Sequence, residues 1–390
     1  MYAQRLDRIA PFRVMQLMER AMAIEATGHR VVHFEVGEPD FVTAGPIVQA
    51  GIDALRAGET KYTQALGIPE LRERIAQHYR QELGVPLAAE RVVVTSGASG
   101  GLVLLSGLLL NPGDRLLLTD PGYPCNEVFT GLVNAEPERI PLFADRDFQL
   151  RADDLEAHWG PRTRGLLLAS PANPTGAVVS RAQLAEIVAA LARMDGWLIL
   201  DEIYQGLIYG DGPGYRTGLE VSDQAFILNS FSKYYGMTGW RLGWMVVPED
   251  ALERVAKLAQ NLFISPSSVA QRAALAAFEP EAVAVHEARR AAFQTRRDLL
   301  LRGLRELGLH VPVVPGGAFY LYVDVSALGV DSAEFCWRLI DDYHVAVTPG
   351  IDFGDHLADR YVRFAYTTDE DSIALGLERI ARALAEMGAR

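Results

Sequence analysis

Lysine is scarce in this chain of 390 residues. Lysine and arginine together number 37, yet lysine occupies only three positions: Lys61, Lys233 and Lys257. Arginine stays protonated in proteins, so a reaction that needs a neutral side-chain amine has few places to find one. Lys257 lies in a segment with helical apolar spacing and Lys61 in a polar, turn-like stretch, and we expect both to be solvated. Lys233 differs, because serine, glycine and aromatic residues surround it in SFSKYYG.

Cysteine and long apolar runs are also scarce. The two cysteines, Cys125 and Cys336, are too few for a disulfide framework and have no metal-ligand spacing, so we expect reduced thiols and no metal site. Apolar stretches such as LVLLSGLLL fall well short of the about 20 residues that span a bilayer, and the charged N-terminus has no apolar signal core. The chain is therefore predicted to be soluble and cytoplasmic, with no membrane partner.

The chain also lacks an excess of basic charge. Its net charge is -13, and the acidic residues are spread along the sequence rather than gathered in a tail. This balance argues against nucleic acid or an anionic membrane as the main partner. Hydrophobic residues make up 49% of the chain, which is ample for a folded core, and the length suits one large or two medium domains.

Short apolar runs alternate with helix-like segments from about residue 90. The runs are nearly continuous in valine, leucine and isoleucine, as expected for strands buried on both faces of a parallel sheet. They are RVVVTSG, RLLLTDPGYP, RGLLLASPANP, GWLILDEIY, AFILNSFSK and LGWMVVP. The alternation predicts a three-layer α/β domain with a mostly parallel sheet, which we place at residues 46–280.

The pattern changes after about residue 280. A long helical stretch is followed by the strand-like runs AFYLYVDV, HVAVTP and YVRFAY, and then by a closing helix with acids in its first turn. We expect a smaller α+β domain at residues 281–390. Residues 1–45 hold one amphipathic helix and the stretch VVHFEVGEPDF, and we expect them to pack with the small domain.

Polar clusters follow five of the apolar runs: TSGASGG, DPGYP, SPANPTG, DEIY and SFSK. In parallel sheets the carboxyl ends of the strands meet at one edge, where ligands bind. Alone, NPTG would indicate only a turn, and GASGG does not fit the G-x-G-x-x-G pattern of dinucleotide-binding proteins. Five such endings on one edge predict a functional site.

Three charged residues stand in surroundings that would not tolerate an isolated charge. Asp201 ends an apolar strand and needs a partner, and Arg363 lies in the apolar strand YVRFAY and needs an anion. The surroundings of Lys233 limit solvation and favour the neutral amine. Each residue also has an ordinary alternative: a capping acid, a buried ion-pair arginine and a loop lysine.

Taken together, the motifs VGEPD, GASGG, PGYP, NPTG, DEIY, SFSK, RLGW and VRFAY resemble class I/II aminotransferases. These are fold-type I enzymes that use pyridoxal 5′-phosphate (PLP). The resemblance implies that Lys233 forms the Schiff base with PLP and that Asp201 pairs with the pyridine nitrogen. It also implies that Tyr204 and Asn173 hydrogen-bond the ring hydroxyl oxygen.

The same resemblance assigns groups to the rest of the cofactor and to the substrate. The phosphate ligands are the backbone N–H groups of Ala98 and Ser99, the side chains of Ser230 and Arg241, and Tyr62 reaching from a neighbouring subunit, which implies a homodimer with composite active sites. Tyr123 is placed to stack on the pyridine ring. Arg363 is placed as the clamp for the substrate α-carboxylate, with Gly37 and Asn173 beside it.

The resemblance implies ping-pong transamination from an L-amino acid to a 2-oxo acid, 2-oxoglutarate or pyruvate. Two alternatives stay open: another PLP reaction on this fold, such as C–S lysis, decarboxylation or racemisation, or a non-catalytic PLP-binding regulator. An acidic substrate such as aspartate would need a second cation for its distal carboxylate. Lysines are few, and position 99 in the predicted phosphate loop is an uncharged serine. We therefore expect neutral, apolar amino donors to be preferred over aspartate. Apolar candidates for the pocket are Phe12, Val14, Phe263, Phe319 and Tyr320.

Overall fold

The computed structural model describes residues 2–210 and 212–388. Its α-helices are α1 (Arg13–Glu25), α2 (Gly45–Arg56), α3 (Pro69–Gln81), α4 (Gly97–Leu109), α5 (Cys125–Leu132), α6 (Ala152–Ala157), α7 (Arg181–Arg193), α8 (Leu252–Leu262), α9 (Ser268–Leu275), α10 (Pro280–Glu306), α11 (Ser332–Tyr343) and α12 (Glu370–Gly388). Its β-strands are β1 (Val32–His33), β2 (Val92–Thr95), β3 (Arg115–Asp120), β4 (Glu136–Pro141), β5 (Thr163–Ala169), β6 (Trp197–Asp201), β7 (Phe226–Ser230), β8 (Gly243–Val246), β9 (Tyr320–Asp324), β10 (Val345–Ala346), β11 (Thr348–Pro349) and β12 (Tyr361–Ala365).

The central sheet has seven strands in the order β2-β8-β7-β6-β5-β3-β4. β8 runs antiparallel to both of its neighbours, and the other six strands run parallel to one another. The mostly parallel sheet predicted from the apolar runs is thus confirmed. β4 was not anticipated, because its sequence EPERIP is polar and its first residues are exposed at the sheet edge; an edge strand lacks the continuous apolar signal of a buried one.

Helices cover both faces of this sheet. Leu166 and Leu168 of β5 belong to the same core as Leu184 of α7, whereas Leu167, between them, belongs to the core that contains Leu102 of α4. Successive strand residues face opposite sides, so the middle of a central strand is apolar at consecutive positions. Full burial of one leucine contributes roughly 1.5–3 kcal/mol. The three-layer α/β architecture is therefore confirmed.

Two smaller sheets lie outside the central one. β11, β12 and β9 form an antiparallel sheet, and β1 of the N-terminal segment pairs in parallel with β10. Leu17 of α1 and Phe34 share a core with Leu300 of α10 and Phe335 of α11. These contacts support the proposal that residues 1–45 pack with a small domain at 281–390.

The helices give no candidate for a membrane span. Across residues 2–210 and 212–388, none is both long enough and apolar enough to cross a bilayer. The longest, α10, carries many arginines and glutamates and starts with Pro280 at its first helical position, where proline is well tolerated.

Candidate active site

The carboxyl edge of the central sheet gathers the polar clusters. Asp201 ends β6, Ser230 ends β7, and Gly97 opens α4 two residues after β2. Because β2, β6 and β7 run parallel, these three ends share one edge. Asn173 follows β5 at the same edge, and Arg363 reaches it from β12, where Nη1 lies 3.0 Å from Asn173 Oδ1.

The side chain of Lys233 enters this site, whereas Lys61 and Lys257 are exposed. Its Nζ donates a hydrogen bond to the carbonyl oxygen of Gly37 at 2.6 Å and lies 5.7 Å from the ring centroid of Tyr204. Burial lowers the pKa of Lys233 to about 8, and the positive charges of Arg363 and Arg241 act in the same direction. A lysine with this pKa is neutral in a sizeable fraction of molecules near neutral pH, as an amine nucleophile requires.

Asp201 is buried with little hydrogen bonding. Its Oδ1 accepts from the backbone N–H of Ile203 at 3.2 Å, and no cationic side chain forms an ion pair with it within the described chain. Burial raises the pKa of Asp201 to about 6, and the Ile203 N–H and the charge of Lys233 oppose that rise. A buried carboxylate in this state can still receive a hydrogen bond from a cationic group.

Glu202, the next residue, faces the other way and is fully engaged. It accepts hydrogen bonds from the Tyr215 hydroxyl, from Thr217 Oγ1 at 2.9 Å and from the Gly218 N–H at 2.7 Å. The opposite orientation follows from the pleat of the strand. Of these two adjacent acids, Asp201 alone reaches the site.

Among the described residues, Arg363 is a buried cation without an anionic partner. Its side chain donates to Asn173 Oδ1, to the backbone carbonyl of Glu35 and to Thr348 Oγ1. No aspartate or glutamate of the described residues forms an ion pair with it, and its Nε has no hydrogen-bond partner. A guanidinium in this state fits a carboxylate supplied from outside the chain.

The start of α4 forms an anion-binding corner. α4 begins at Gly97, whose φ is +70°, and its first N–H groups, including those of Ala98 and Ser99, have no partner within the helix. A Cβ added at Gly97 would lie 2.7 Å from Nη2 of Arg241, so the guanidinium packs directly against the helix start. Ser230 lies beside this corner, with its backbone paired in register with Gly243. Helix N–H groups and an arginine together suit a phosphate.

Two predicted aromatic ligands have contrasting positions. Tyr123 follows β3 and is largely enclosed; burial raises its pKa, and the thiol of Cys125 and the carboxylate of Asp201 act in the same direction. Tyr62 is 81% exposed. The structure thus places Tyr123 near Asp201, and it leaves most of Tyr62 open to solvent in its own chain.

Known proteins are similar to this chain over nearly its whole length. A family model described as aminotransferase class I and II matches residues 29–380. A valine–pyruvate aminotransferase of Mycobacterium tuberculosis is 39% identical over 380 residues, which cover 96% of this chain and 98% of that protein. The chain belongs to the class I and II aminotransferases.

Further relatives place this aminotransferase among enzymes with different substrates. An aspartate/prephenate aminotransferase of Thermus thermophilus is 35% identical over 391 residues, with 98% of both chains covered. The crystal structure of an aminotransferase from Mycobacterium tuberculosis superposes with a TM-score of 0.96 at 38% identity, with 99% of both chains covered. The protein is therefore a PLP-dependent transferase of amino groups between amino acids and 2-oxo acids, as the motifs predicted.

The residues of this aminotransferase fit PLP. The corner formed by Gly97 and Arg241 offers donors for the phosphate, and Asp201 offers a buried carboxylate for the pyridine nitrogen. Lys233 offers an amine of lowered pKa for the aldehyde. In the described residues neither Arg241 nor Asp201 has an oppositely charged side-chain partner that would compete.

Sequence reasoning missed several neighbours of Arg363. The carbonyl of Glu35 and the hydroxyl of Thr348 both hold its guanidinium, and the ring centroids of Tyr320 and Phe353 lie 4.4 and 4.7 Å from its Cζ. Tyr320 was expected only as an apolar lining residue. No local pattern marks these contacts, because folding brings Thr348 to Arg363 from 15 positions away and Glu35 from 328 positions away.

Proposed function

We propose that this aminotransferase transfers the amino group of neutral, apolar L-amino acids to 2-oxoglutarate or pyruvate by a ping-pong mechanism. The observation that carries the proposal is the buried guanidinium of Arg363, which has no carboxylate partner within the described chain and lies close enough to Lys233 to lower its pKa. The substrate α-carboxylate fills that place, and its amino group then faces Lys233.

The proposed roles follow from position. Lys233 holds the cofactor covalently between turnovers, and its freed amine moves the proton at the substrate Cα as a positioned general base and acid. PLP, when bound, supplies the electron sink for the bond broken at Cα. Asp201 holds the proton on the pyridine nitrogen. Tyr204 and Asn173 donate to the ring hydroxyl oxygen, and Tyr123 packs on the ring face.

The phosphate and the carboxylate are held at opposite ends of the site. We assign the phosphate to the N–H groups of Ala98 and Ser99, to Ser230 and Arg241, and to Tyr62 of the partner subunit. Arg363 clamps the substrate carboxylate with Asn173 and Gly37 beside it. These assignments rest on the geometry above together with the family's motifs.

A cleft beside the site supports the preference for apolar donors. It encloses about 1160 Å³ between the N-terminal segment, α5 and residues 351–359. Phe12 and Ile351 are among its apolar residues, and Pro124, next to Tyr123, lines it as well. Of its three arginines, Arg13 pairs with Asp352 at 3.6 Å and Arg139 pairs with Glu127, while Arg5 donates to the backbone carbonyl of Leu132 at 3.0 Å. Paired cations offer little to a second substrate carboxylate.

A homodimer with composite sites is part of the proposal. Tyr62, Leu262 and Ile264 are exposed by 81%, 54% and 53%, and the hydroxyl of Ser265 accepts from the N–H of Thr63 at 3.3 Å, so these segments lie side by side. Exposed apolar residues grouped in this way suit an interface. Sedimentation equilibrium of wild type and Tyr62→Ala, with cofactor retention measured alongside, tests this part. Cytoplasmic location stays a prediction.

A half-reaction screen tests the substrate proposal. The absorbance of the bound cofactor is followed as each amino acid is added without an acceptor, and the 2-oxo acid released is measured. Leucine, methionine, alanine and phenylalanine are expected to convert the cofactor faster than aspartate. Lysis would instead release ammonia together with a 2-oxo acid, decarboxylation would release carbon dioxide, and racemisation would give the D-enantiomer, in each case over repeated turnovers without an acceptor.

A further inference from the structure

Tyr320, the first residue of β9, contacts two residues of the proposed site, Tyr204 and Arg363. It is 1% exposed and pairs across the strands with Ala365 of β12. Its hydroxyl lies 2.8 Å from the hydroxyl of Tyr204, with the two rings edge to face at 5.7 Å. Its ring centroid lies 4.4 Å from Cζ of Arg363.

The hydroxyl of Tyr320 also abuts the backbone of Gly37. A Cβ added at Gly37 would lie 1.9 Å from that hydroxyl oxygen, so only glycine leaves room for Tyr320 in its present position. The carbonyl of Gly37 accepts the hydrogen bond from Lys233. The phenol of Tyr320 therefore touches Tyr204, Arg363 and the backbone of Gly37. In the proposed site these face the ring oxygen of the cofactor, bind the substrate carboxylate and hold the amine of Lys233.

We propose that Tyr320 is a positioning residue of the transamination site, which orients the hydroxyl of Tyr204 through a hydrogen bond and the guanidinium of Arg363 through its ring face. The inference rests on the proposed function, because it gives Tyr204 and Arg363 the roles assigned there. It adds a residue that those assignments do not include.

The direction of the hydrogen bond follows from the number of protons. Each phenol carries one proton, and within the described residues Tyr204 is the sole hydrogen-bond partner of the Tyr320 hydroxyl. If Tyr320 donates to Tyr204, the proton of Tyr204 is free to point at the ring oxygen of the cofactor, and both protons are satisfied. If Tyr204 donated to Tyr320, the proton of Tyr320 would be buried without an acceptor, which is costly. The first arrangement also strengthens Tyr204 as a donor, since linked hydrogen bonds polarise one another.

The ring of Tyr320 acts on Arg363 independently of its hydroxyl. A guanidinium over an aromatic face is attracted by the ring quadrupole, and the attraction grows when water is excluded. Arg363 is buried, and its two nitrogens that hydrogen-bond are held by Asn173, Glu35 and Thr348. The ring closes one face of the guanidinium, so the substrate carboxylate meets it in a fixed plane.

Two substitutions separate the two actions. Tyr320→Phe removes the hydroxyl and keeps the ring, and Tyr320→Leu removes both. The matched control is Tyr322→Phe, because Tyr322 lies two residues along the same strand, is equally buried, and makes no hydrogen bond through its hydroxyl to a described residue. Thermal unfolding of each variant, with and without PLP, checks that the fold is intact.

The first readout is the pH midpoint of the absorbance change of the bound cofactor, measured without substrate. A donor at the ring oxygen stabilises the deprotonated form, so weakening Tyr204 should raise the midpoint. We expect Tyr320→Phe to raise it by about half a unit, roughly threefold in proton affinity, and Tyr322→Phe to leave it in place. A midpoint in Tyr320→Phe equal to that of the control overturns the orienting role of the hydroxyl.

The second readout is the dissociation constant of 4-methylpentanoate, a carboxylic acid that cannot transaminate, measured by its effect on the spectrum of the bound cofactor. Tyr320→Phe should bind it within about twofold of wild type, whereas Tyr320→Leu should bind it about tenfold more weakly. The KM for leucine should follow the same order. Unchanged affinity in Tyr320→Leu overturns the action on Arg363. Both readouts are independent of turnover, so a wild-type enzyme that failed to transaminate would refute the proposed function and leave this test intact.

Discussion

Nζ of Lys233 lies 2.6 Å from the carbonyl oxygen of Gly37, and the two residues are 196 positions apart in the chain. The contact joins the loop after β7 to the VGEPD segment and holds the amine inside the site. The amine is buried near two arginines, which explains why its pKa falls to about 8.

Lys233 should be the sole site of covalent cofactor attachment. Borohydride treatment of the PLP-loaded protein, followed by peptide mass mapping, should place the adduct on Lys233 because Lys61 and Lys257 are exposed. Lys233→Ala should retain weak PLP binding through the phosphate corner and lose transamination. Lys257→Arg serves as the control and should behave as wild type. An adduct on Lys61 or Lys257 would remove Lys233 from the mechanism.

The rate of PLP capture by the apoenzyme should rise with pH around a midpoint near 8. The neutral amine attacks the aldehyde, and a pKa of about 8 makes roughly a tenth of the amine neutral at pH 7 and about nine tenths at pH 9. Because the pKa of Lys233 is lowered, the midpoint of the rise in capture rate should lie below about 10.4, the pKa of a free lysine. Stopped-flow absorbance at constant PLP concentration measures it. A rise that begins only above pH 9.5 would show that Lys233 is not shifted.

Amide substitutions of the neighbours Asp201 and Glu202 should affect different properties, activity in the first case and stability in the second. Asp201→Asn should reduce transamination by about 10²-fold or more while PLP binding is largely kept, since the carboxylate acts on the ring and the phosphate is held elsewhere. Glu202→Gln should mainly lower the free energy of unfolding, by about 2 kcal/mol, because it disrupts the buried hydrogen bonds that the carboxyl group accepts. Single-turnover rates and denaturant titrations separate the two effects. Near-normal turnover in Asp201→Asn would contradict its assignment.

Arg363→Lys should cost about 10²-fold in kcat/KM for every amino acid, because a lysine cannot reproduce the two-pronged contact with a carboxylate. Most of the loss should appear in KM. Arg360→Lys is the matched control: it precedes Arg363 by three residues and makes a partly exposed ion pair with Asp324 at 2.9 Å. Equal effects of the two substitutions would show that Arg363 has no special role.

The sequence predicted the parts of this architecture that depend on local pattern. β5, β6 and β7 are apolar at consecutive positions because both faces are buried, and the polar clusters after them mark the site edge. β4 was missed because an exposed edge strand needs no such pattern.

The parts of the site that the sequence could not supply are long-range contacts. Tyr320 and Tyr204 are 116 positions apart, and nothing local to either residue indicates the pairing. The chain has 34 arginines, and only their spatial pairing reveals that Arg363 lacks an acidic partner in the described structure while Arg13 and Arg139 have one. Residue rarity identified Lys233, and no comparable signal identified Thr348.

Substrate preference tests whether the cleft favours neutral over acidic amino donors. Leucine, methionine or phenylalanine should exceed aspartate in kcat/KM for cofactor conversion, because Arg13 and Arg139 of the cleft are paired with carboxylates and Arg5 donates to the carbonyl of Leu132. Phe12→Arg would place an extra cation on the cleft wall and should raise the relative activity toward aspartate. Aspartate exceeding all three neutral donors by more than about tenfold, or roughly 1.4 kcal/mol, would contradict the proposal and indicate a cation from another subunit.

The most direct measurement of transamination by this protein is a single turnover in two stages. The PLP-loaded protein receives L-leucine alone, and its spectrum and the released 2-oxo acid are recorded; 2-oxoglutarate or pyruvate is then added. We expect one 2-oxo acid per active site in the first stage and full return of the original spectrum in the second, with no conversion in Lys233→Ala. No spectral change with any amino acid, release of carbon dioxide, or release of ammonia together with more than one 2-oxo acid per active site before the acceptor is added would contradict this mechanism.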